Sequence, residues 1–233
     1  MSLRERLRRP GWKVLGGLLI LALVATAPRW GTAALGRLDF FRIRHVEVRG
    51  TRYLPSAEVA ARLRVDTLAS VWDDLAPLRA RVVGHPQIAS AEVTRKLPGS
   101  IVVTVVENLP VALVATRRGM QPHDSAGRAL PIDPARIALD LPVLYAPDRQ
   151  LLGALARIAV EQPGLYERIN VVTRDGPEAM TLHLDSIRVR ASPGVSGNRL
   201  ADIFPVESDL ARRGANAAEL DLRYRDQVIV RLQ

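Results

Sequence analysis

The stretch Ile101 to Val106, IVVTVV, restricts the fold more than any other, because five of its six residues are apolar and β-branched. Successive side chains of a strand point to opposite faces, so apart from Thr104 this run is apolar on both and needs cover on both. It reads as a central, buried strand. The residues before it behave differently. Ala89, Ala91 and Val93 alternate with Ser90, Glu92, Thr94 and Lys96, which predicts a strand over Ile88 to Lys96 with one wet face, nearer an edge. Between the two, Leu97-Pro98-Gly99-Ser100 places Pro at i+1 and Gly at i+2 of an expected type II turn.

Upstream, Val46 and Val48 alternate with His45 and Glu47 before Gly50, a strand closed by a turn. Pro55-Ser56-Ala57-Glu58 opens a helix with Val59 and Leu63 four apart on one face. A second helix is expected to start at Asp73 or Asp74 as N-cap. Pro77 is tolerated in its first turn, Leu75, Leu78 and Val82 lie on one side, and Gly84-His85-Pro86 ends it. The order is strand, helix, helix, strand, strand over residues 41–108.

Residues 109–233 do not repeat this unit. Gly/Pro/Asp punctuation from Gly119 to Pro142 predicts loops around short strands. Asp148 caps a helix with Leu151, Leu152, Leu155, Ile158 and Ala159 on one face, ended by Pro163-Gly164. Met180, Leu182 and Leu184 form one alternating run, and Ile187, Val189 and Ala191 another. Asn198 to Arg213 reads as a helix bent at Pro205 and stopped by Gly214. Leu220 to Tyr224 and Gln227 to Leu232 are two closing strands joined by Arg225-Asp226. The expected class is α+β, with a second domain that is mostly antiparallel β with flanking helices.

At the front, Val14 to Ala27, VLGGLLILALVATA, carries no charge and is bracketed by Trp12 and Trp30. Fourteen helical residues reach about 21 Å, while Trp12 to Trp30 reaches about 28 Å, close to the roughly 30 Å of a bilayer core. Paired interfacial tryptophans favour a transmembrane helix over 14–30, with a tail at 1–13 and a linker at 31–40. A cleaved signal peptide is the alternative, since Ala25-Thr26-Ala27 fits a cleavage site, although Pro28 suits the following position poorly. A buried core helix leaves the arginine cluster and the tryptophan pair unexplained. Basic residues are denser before the run than after it, which places the tail in the cytoplasm and the remaining ~200 residues outside it.

The charge of +9 argues less for nucleic acid than its size suggests. Arg4, Arg6, Arg8, Arg9 and Lys13 against Glu5 put +4 in the tail and leave +5 over the other 220 residues. Aromatic residues make up 4%, too few for a stacking platform, so no nucleic-acid partner is expected. The chain has no cysteine, which excludes disulfides, thiolate metal sites and cysteine nucleophiles. Neither lysine sits in a P-loop, and Ser196 in Gly194-Val195-Ser196-Gly197 lacks the glycine spacing of a nucleophile elbow. His45, His85, His123 and His183 are 38 to 60 residues apart, with no ligand spacing. Asp73-Asp74 and Asp202 with Asp209 fit capping and helix-surface roles better than acid–base pairs, and Arg212-Arg213 fits a solvated helix end. No catalytic residue, metal, cofactor or small-molecule substrate is expected.

The first unit resembles a POTRA domain on His85, Pro86, Ile88, Ala91, Val93, Arg95, Pro98, Ile101, Val103, Val105, Glu107, Pro110 and Ala112. Following one apolar run, it resembles the bacterial FtsQ family, also called DivIB. The likeness runs through Leu141-Pro-Val-Leu, Gly197-Asn-Arg-Leu and Leu220-Asp-Leu-Arg-Tyr, and departs at Gln227-Val-Ile-Val. The resemblance implies a non-enzymatic divisome scaffold, single-pass in the inner membrane at the septum. It implies FtsB, with FtsL, at the terminal β region, and other division proteins at the POTRA domain. Arg223 and Tyr224 match the family's partner-facing pair, and Asp226, Gln227, Val228, Ile229 and Val230 complete the expected partner-binding set, probed by strand addition if the last strand is an edge. A secretion or outer-membrane assembly component is the alternative user of a POTRA module. Its several copies or its barrel find no room in residues 109–233.

Overall fold

A computed structural model describes residues 16–22, 24, 35–134, 136–224 and 226–233. The predicted tail, most of the predicted span over 14–30 and the start of the linker lie outside these. Residues 16–22 and 24 are helical and exposed, and among the described residues no helix is long and apolar enough to cross a membrane. The chain divides into two compact units, one of Met1–Thr51, Pro55–His85 and Ser90–Val106, the other of Arg52–Leu54, Pro86–Ala89 and Glu107–Gln233.

The first unit follows the expected order. A 3-10 turn at Asp39–Phe41 leads into β1 (His45–Arg49), then α1 (Ser56–Leu63), α2 (Ala76–Val83), β2 (Ile88–Lys96) and β3 (Ser100–Glu107). The sheet order is β1-β3-β2, so the doubly apolar strand is central, parallel to β1, with Ile101, Val103 and Val105 buried. Val59 and Leu63 of α1 and Leu78 and Val82 of α2 are buried as their spacing predicts. Each such side chain contributes about 1.5–3 kcal/mol. Two details differ from expectation. Leu75 takes the N-cap position of α2, while the Asp74 carboxylate accepts the Ala76 amide at 2.9 Å and Asp73 accepts the Ser70 amide at 2.7 Å. The turn after β2 is not type II, because Leu97–Pro98 is cis and Gly99 is not among the positive-φ glycines. Gly99 is needed for a different reason: a Cβ there would lie 2.6 Å from the Arg42 carbonyl oxygen.

The second unit is one eight-stranded mixed sheet. Its strands are β4 (Ala112–Thr116), β5 (Gly119–His123), β6 (Val143–Leu144), β7 (Ile169–Arg174), β8 (Met180–Leu184), β9 (Arg188–Ala191), β10 (Ala217–Asp221) and β11 (Ile229–Leu232). The order is β11-β10-β9-β8-β7-β6-β4-β5, with β9/β10, β6/β7 and β4/β6 parallel and the other four pairs antiparallel. The apolar face of α3 (Arg149–Glu161) joins Val114, Leu144, Val172, Leu182, Val189 and Leu220 in one core. Helix α3 ends at Glu161, just before Pro163-Gly164 as expected, and the proline ring at a first helical position then starts a separate short α4 (Pro163–Tyr166). The Tyr166 hydroxyl donates to the Val111 carbonyl at 2.9 Å, and burial pushes it up to about 12.

The helical stretch after β9 breaks at Asp202 rather than at Pro205, giving α5 (Gly197–Ala201) and α6 (Ile203–Arg212). Pro205 falls in the first turn of α6, where amides have no intrahelical acceptor and its ring costs little. Glu107, the glutamate of the POTRA-like motif, is buried. Its carboxylate accepts the amides of Arg52, Tyr53 and Leu54 at 2.8–3.0 Å, ordering a turn that has no ladder of its own.

Asp148 caps α3 by accepting the Gln150 and Leu151 amides and also takes a two-pronged bond from Arg174 at 2.6 and 2.8 Å. The Arg174 guanidinium holds its carboxyl below the ordinary value of 3.8, against the opposing effect of burial. A depressed folded value means that this stabilisation is fully present above 3.8 and is lost as pH falls through the lower folded value. Urea midpoints at pH 7 and pH 2.5 are expected to fall less for Asp148→Asn than for the parent, with the variant weaker at pH 7.

Candidate partner-binding edge

A sheet edge is a row of unpaired main-chain donors and acceptors, which proteins ordinarily blunt. Three of the four edges here carry such devices. In the first sheet, β1 carries His45, Glu47 and Arg49, and β2 has the Arg79 guanidinium on its Ala91 carbonyl at 2.8 Å. In the second, β5 contains Pro122, whose carbonyl accepts the Leu130 amide at 2.8 Å. The fourth edge is β11, and among the described residues no strand pairs with its outer side.

Its register shows which groups are open. Arg231 lies opposite Glu219, Val230 opposite Leu220 and Ile229 opposite Asp221. The Gln233 amide donates inward to the Asn216 carbonyl at 3.0 Å. Main-chain groups alternate sides along an antiparallel strand, so Arg231 and Ile229 also face β10, and the amides of Val230 and Leu232 face outward. Side chains alternate as well: Val228 and Val230 pack on the core and Ile229 is exposed on the opposite face, while Leu232, on the same face as Val230, is exposed at the end of the strand.

The approach to β11 is built differently from its expected form. β10 stops at Asp221, before Arg223 and Tyr224, because the Asp221 carboxylate turns back to accept the Arg223 amide at 3.1 Å. The same carboxylate takes the Arg223 guanidinium at 2.6–3.1 Å, which holds Asp221 low and Arg223 high. Arg223 is therefore already engaged within its own chain. Tyr224 is 46% exposed. Asp226 and Gln227 are exposed turn residues, and with Val228 they precede the strand, which begins two residues later than Gln227.

Arg199, which sequence reasoning left without a role, explains the delay. One of its terminal nitrogens donates to the carbonyls of Tyr224 and Gln227, both at 2.7 Å, and the other pairs with Asp202. The two ends of the turn are thus pinned to α5. Ser196 caps that helix by accepting the Arg199 amide at 3.3 Å, and the Gly197 amide donates to Glu161 at 2.7 Å. A Cβ at Gly197 would run into that carboxylate. The only sequence signal was the Gly197-Asn198-Arg199-Leu200 match. On the sheet face beside β11, Glu219 lies 3.8–3.9 Å from Arg188, Arg190 and Arg231.

Other candidate groups have structural partners. Asp209 pairs with Arg213 at 2.8 Å and Arg212 at 3.5 Å, and His85 approaches Glu58 at 3.4 Å. Thr173 and His183 share a contact at 3.2 Å, and the His123 ring meets the Gln121 carbonyl at 3.0 Å. Among the described residues no three His, Asp or Glu side chains group as metal ligands.

The family model described as POTRA domain, FtsQ-type, matches residues 41–108. The cell division protein FtsQ of Anaeromyxobacter sp. (strain K) is 30% identical over 255 residues, covering 98% of this chain and 84% of the relative. The chain belongs to the FtsQ family of cell-division proteins. FtsQ of Rhodothermus marinus is 28% identical, covering 99% of this chain and 88% of that protein, and FtsQ of Caulobacter vibrioides is 27% identical, covering 93% and 75%. The solved major extracytoplasmic domain of DivIB from Geobacillus stearothermophilus aligns with 44% of this chain and 93% of its own, at 19% identity and a TM-score of 0.32. This member of the FtsQ family thus carries its divisome role on a fold with an open terminal edge.

Arg199→Ala leaves two turn carbonyls without their charged donor and is expected to cost about 1.5–3 kcal/mol. Amide exchange of Gln227 to Val230 should accelerate more than that of β8, and Arg199→Lys, with a compact ammonium in place of the planar fork, should restore only part.

Proposed function

We propose that this chain is a non-enzymatic, single-pass scaffold of the divisome at the septum. Its tail is cytoplasmic, its bulk lies outside the cytoplasm, and FtsB, together with FtsL, adds a strand to β11. Other division proteins meet the POTRA domain. The observation that carries this reading is the β11 edge, whose outer main chain no strand covers among the described residues and whose one charged side chain, Arg231, leans toward Glu219, with Tyr224 exposed at the turn leading into it. Main-chain bonds from Val230 and Leu232 would supply affinity, and Tyr224, Ile229 and Leu232 would supply side-chain anchors. Asp226 and Gln227 flank the contact on the turn. Arg223 contributes through its carboxylate-locked position beside Tyr224, and Val228 through its packing beneath the strand.

Two substitutions separate the two sources of affinity. Tyr224→Ala removes an aromatic anchor and is expected to weaken FtsB/FtsL binding by about 2 kcal/mol, near 30-fold. Leu232→Pro removes an outward amide together with the leucine side chain while leaving the β10 ladder intact, since Pro is accepted where an edge N–H faces solvent, and Leu232→Ala, which removes the side chain alone, isolates the share of the amide. The proline variant is expected to weaken binding at least tenfold without changing the melting temperature. Unaltered affinity in both Tyr224→Ala and Leu232→Pro, measured on the full chain, would refute strand addition at β11.

A further inference from the structure

Six large apolar side chains between residues 35 and 106 are exposed, and four of them gather at one end of the three-stranded sheet. Leu38 is 52% exposed, Phe40 63%, Leu68 65% and Leu97 56%; Val83 and Val106 are the other two. Backbone bonds tie the loops that carry the four. The Ile43 amide donates to Ala69 and the Val71 amide to Phe41, both at 2.9 Å, joining the segment of Leu38 and Phe40 to the loop of Leu68. The Arg44 amide donates to Gly99 at 2.8 Å, joining it to the turn that holds Leu97. Parallel β1 and β3 both start here, with His45 opposite Ser100, so this is the end at which the chain enters the domain from the apolar run.

The end is built as a rigid platform with apolar tips. Phe41 meets Trp72 edge-on at 5.7 Å, and Phe40 lies outside Phe41 at 5.1 Å. Two cations near the tips have acidic partners, Arg42 with Asp39 at 2.8 Å and Lys96 with Glu47 at 3.0 Å, and the Arg44 guanidinium donates to the Asp39 carbonyl at 3.1 Å, while Arg37 beside Leu38 is exposed. Apolar tips flanked by few free cations fit a lipid surface better than a polyanion. Only the residues from Ala27 to Leu38 separate the tips from the apolar run, a tether of at most about 40 Å. We propose that this end of the POTRA domain dips into the membrane surface, seating Leu38, Phe40, Leu68 and Leu97 at the boundary of headgroups and acyl chains. The inference rests on the reading of the apolar run as an anchor.

The chain has no cysteine, so a nitroxide can be placed at one site at a time. Full-length Phe40→Cys, Leu68→Cys, Leu97→Cys, Val106→Cys and Leu21→Cys are reconstituted in neutral phosphatidylcholine vesicles, and collision with oxygen is compared with collision with an aqueous nickel chelate. Val106 lies about 20 Å along β3 from the tips and serves as the aqueous reference. The expected result is a severalfold lower nickel collision rate at residues 40, 68 and 97 than at 106, unchanged when protein is diluted in lipid. Three aqueous tips with Leu21 in the bilayer would overturn this inference and keep the anchor. An aqueous Leu21 would overturn the anchor reading and the inference with it. Shielding that fades on dilution would mean that a second copy covers the tips, and would also overturn it.

Discussion

The parallel pairing of β10 with β9 is the contact on which the second unit depends. Leu220 opposite Val189 places two fully buried side chains over the core, and a parallel neighbour cannot be reached by a tight turn. The chain must cross over, and residues 197–212 do so as two helices that bring Leu200 and Ile203 into the same core. That crossover carries Arg199 to the turn after β10. β11 then folds back antiparallel on β10, which places it at the edge of the sheet, with no strand on its outer side among the described residues.

The treatment of edges divides the molecule by purpose. Arg79 on β2, the charged face of β1 and Pro122 in β5 each spoil a template for pairing. β11 carries an arginine, but Arg231 leans toward Glu219 at 3.8 Å, on the same sheet face as Arg188, instead of covering the outer main chain. An edge left open beside three that are closed is a cost in aggregation risk, which a resident partner strand would remove.

Much of this was legible in the residues. The doubly apolar 101–106 run had to be central, and the spacing of Val59 with Leu63, and of Leu78 with Val82, placed the helices of the first unit correctly. Asp148 announced its helix. Local pattern failed where a distant group decided the outcome. Gly99 looked like a type II turn glycine, but its constraint is the Arg42 carbonyl, 57 positions earlier. Pro205 looked like a bend because a proline's harm depends on its position in a helix, and the start of α6 was not visible. The strand predicted over Leu220 to Tyr224 ended early because Asp221 captures the Arg223 amide, and Gln227 was drawn out of β11 by Arg199, 28 residues away. Arg199 itself had no signature beyond a tetrapeptide match, since a residue that binds backbone carbonyls leaves no pattern at the positions it holds.

Among the described residues no three His, Asp or Glu side chains group as metal ligands, Asp148 caps a helix and pairs with Arg174, Asp221 is held by Arg223, and Glu107 is spent on three backbone amides. The account therefore turns on whether the outer side of β11 is vacant in the free chain and filled in the complex. Residue-resolved hydrogen exchange of the full chain, alone and with FtsB and FtsL, measures this directly. The account predicts that the Val230 and Leu232 amides exchange freely alone and become strongly protected in the complex, while Ile229 and Arg231 are protected in both states. Protection that appears elsewhere and leaves Val230 and Leu232 exchanging as before would contradict it.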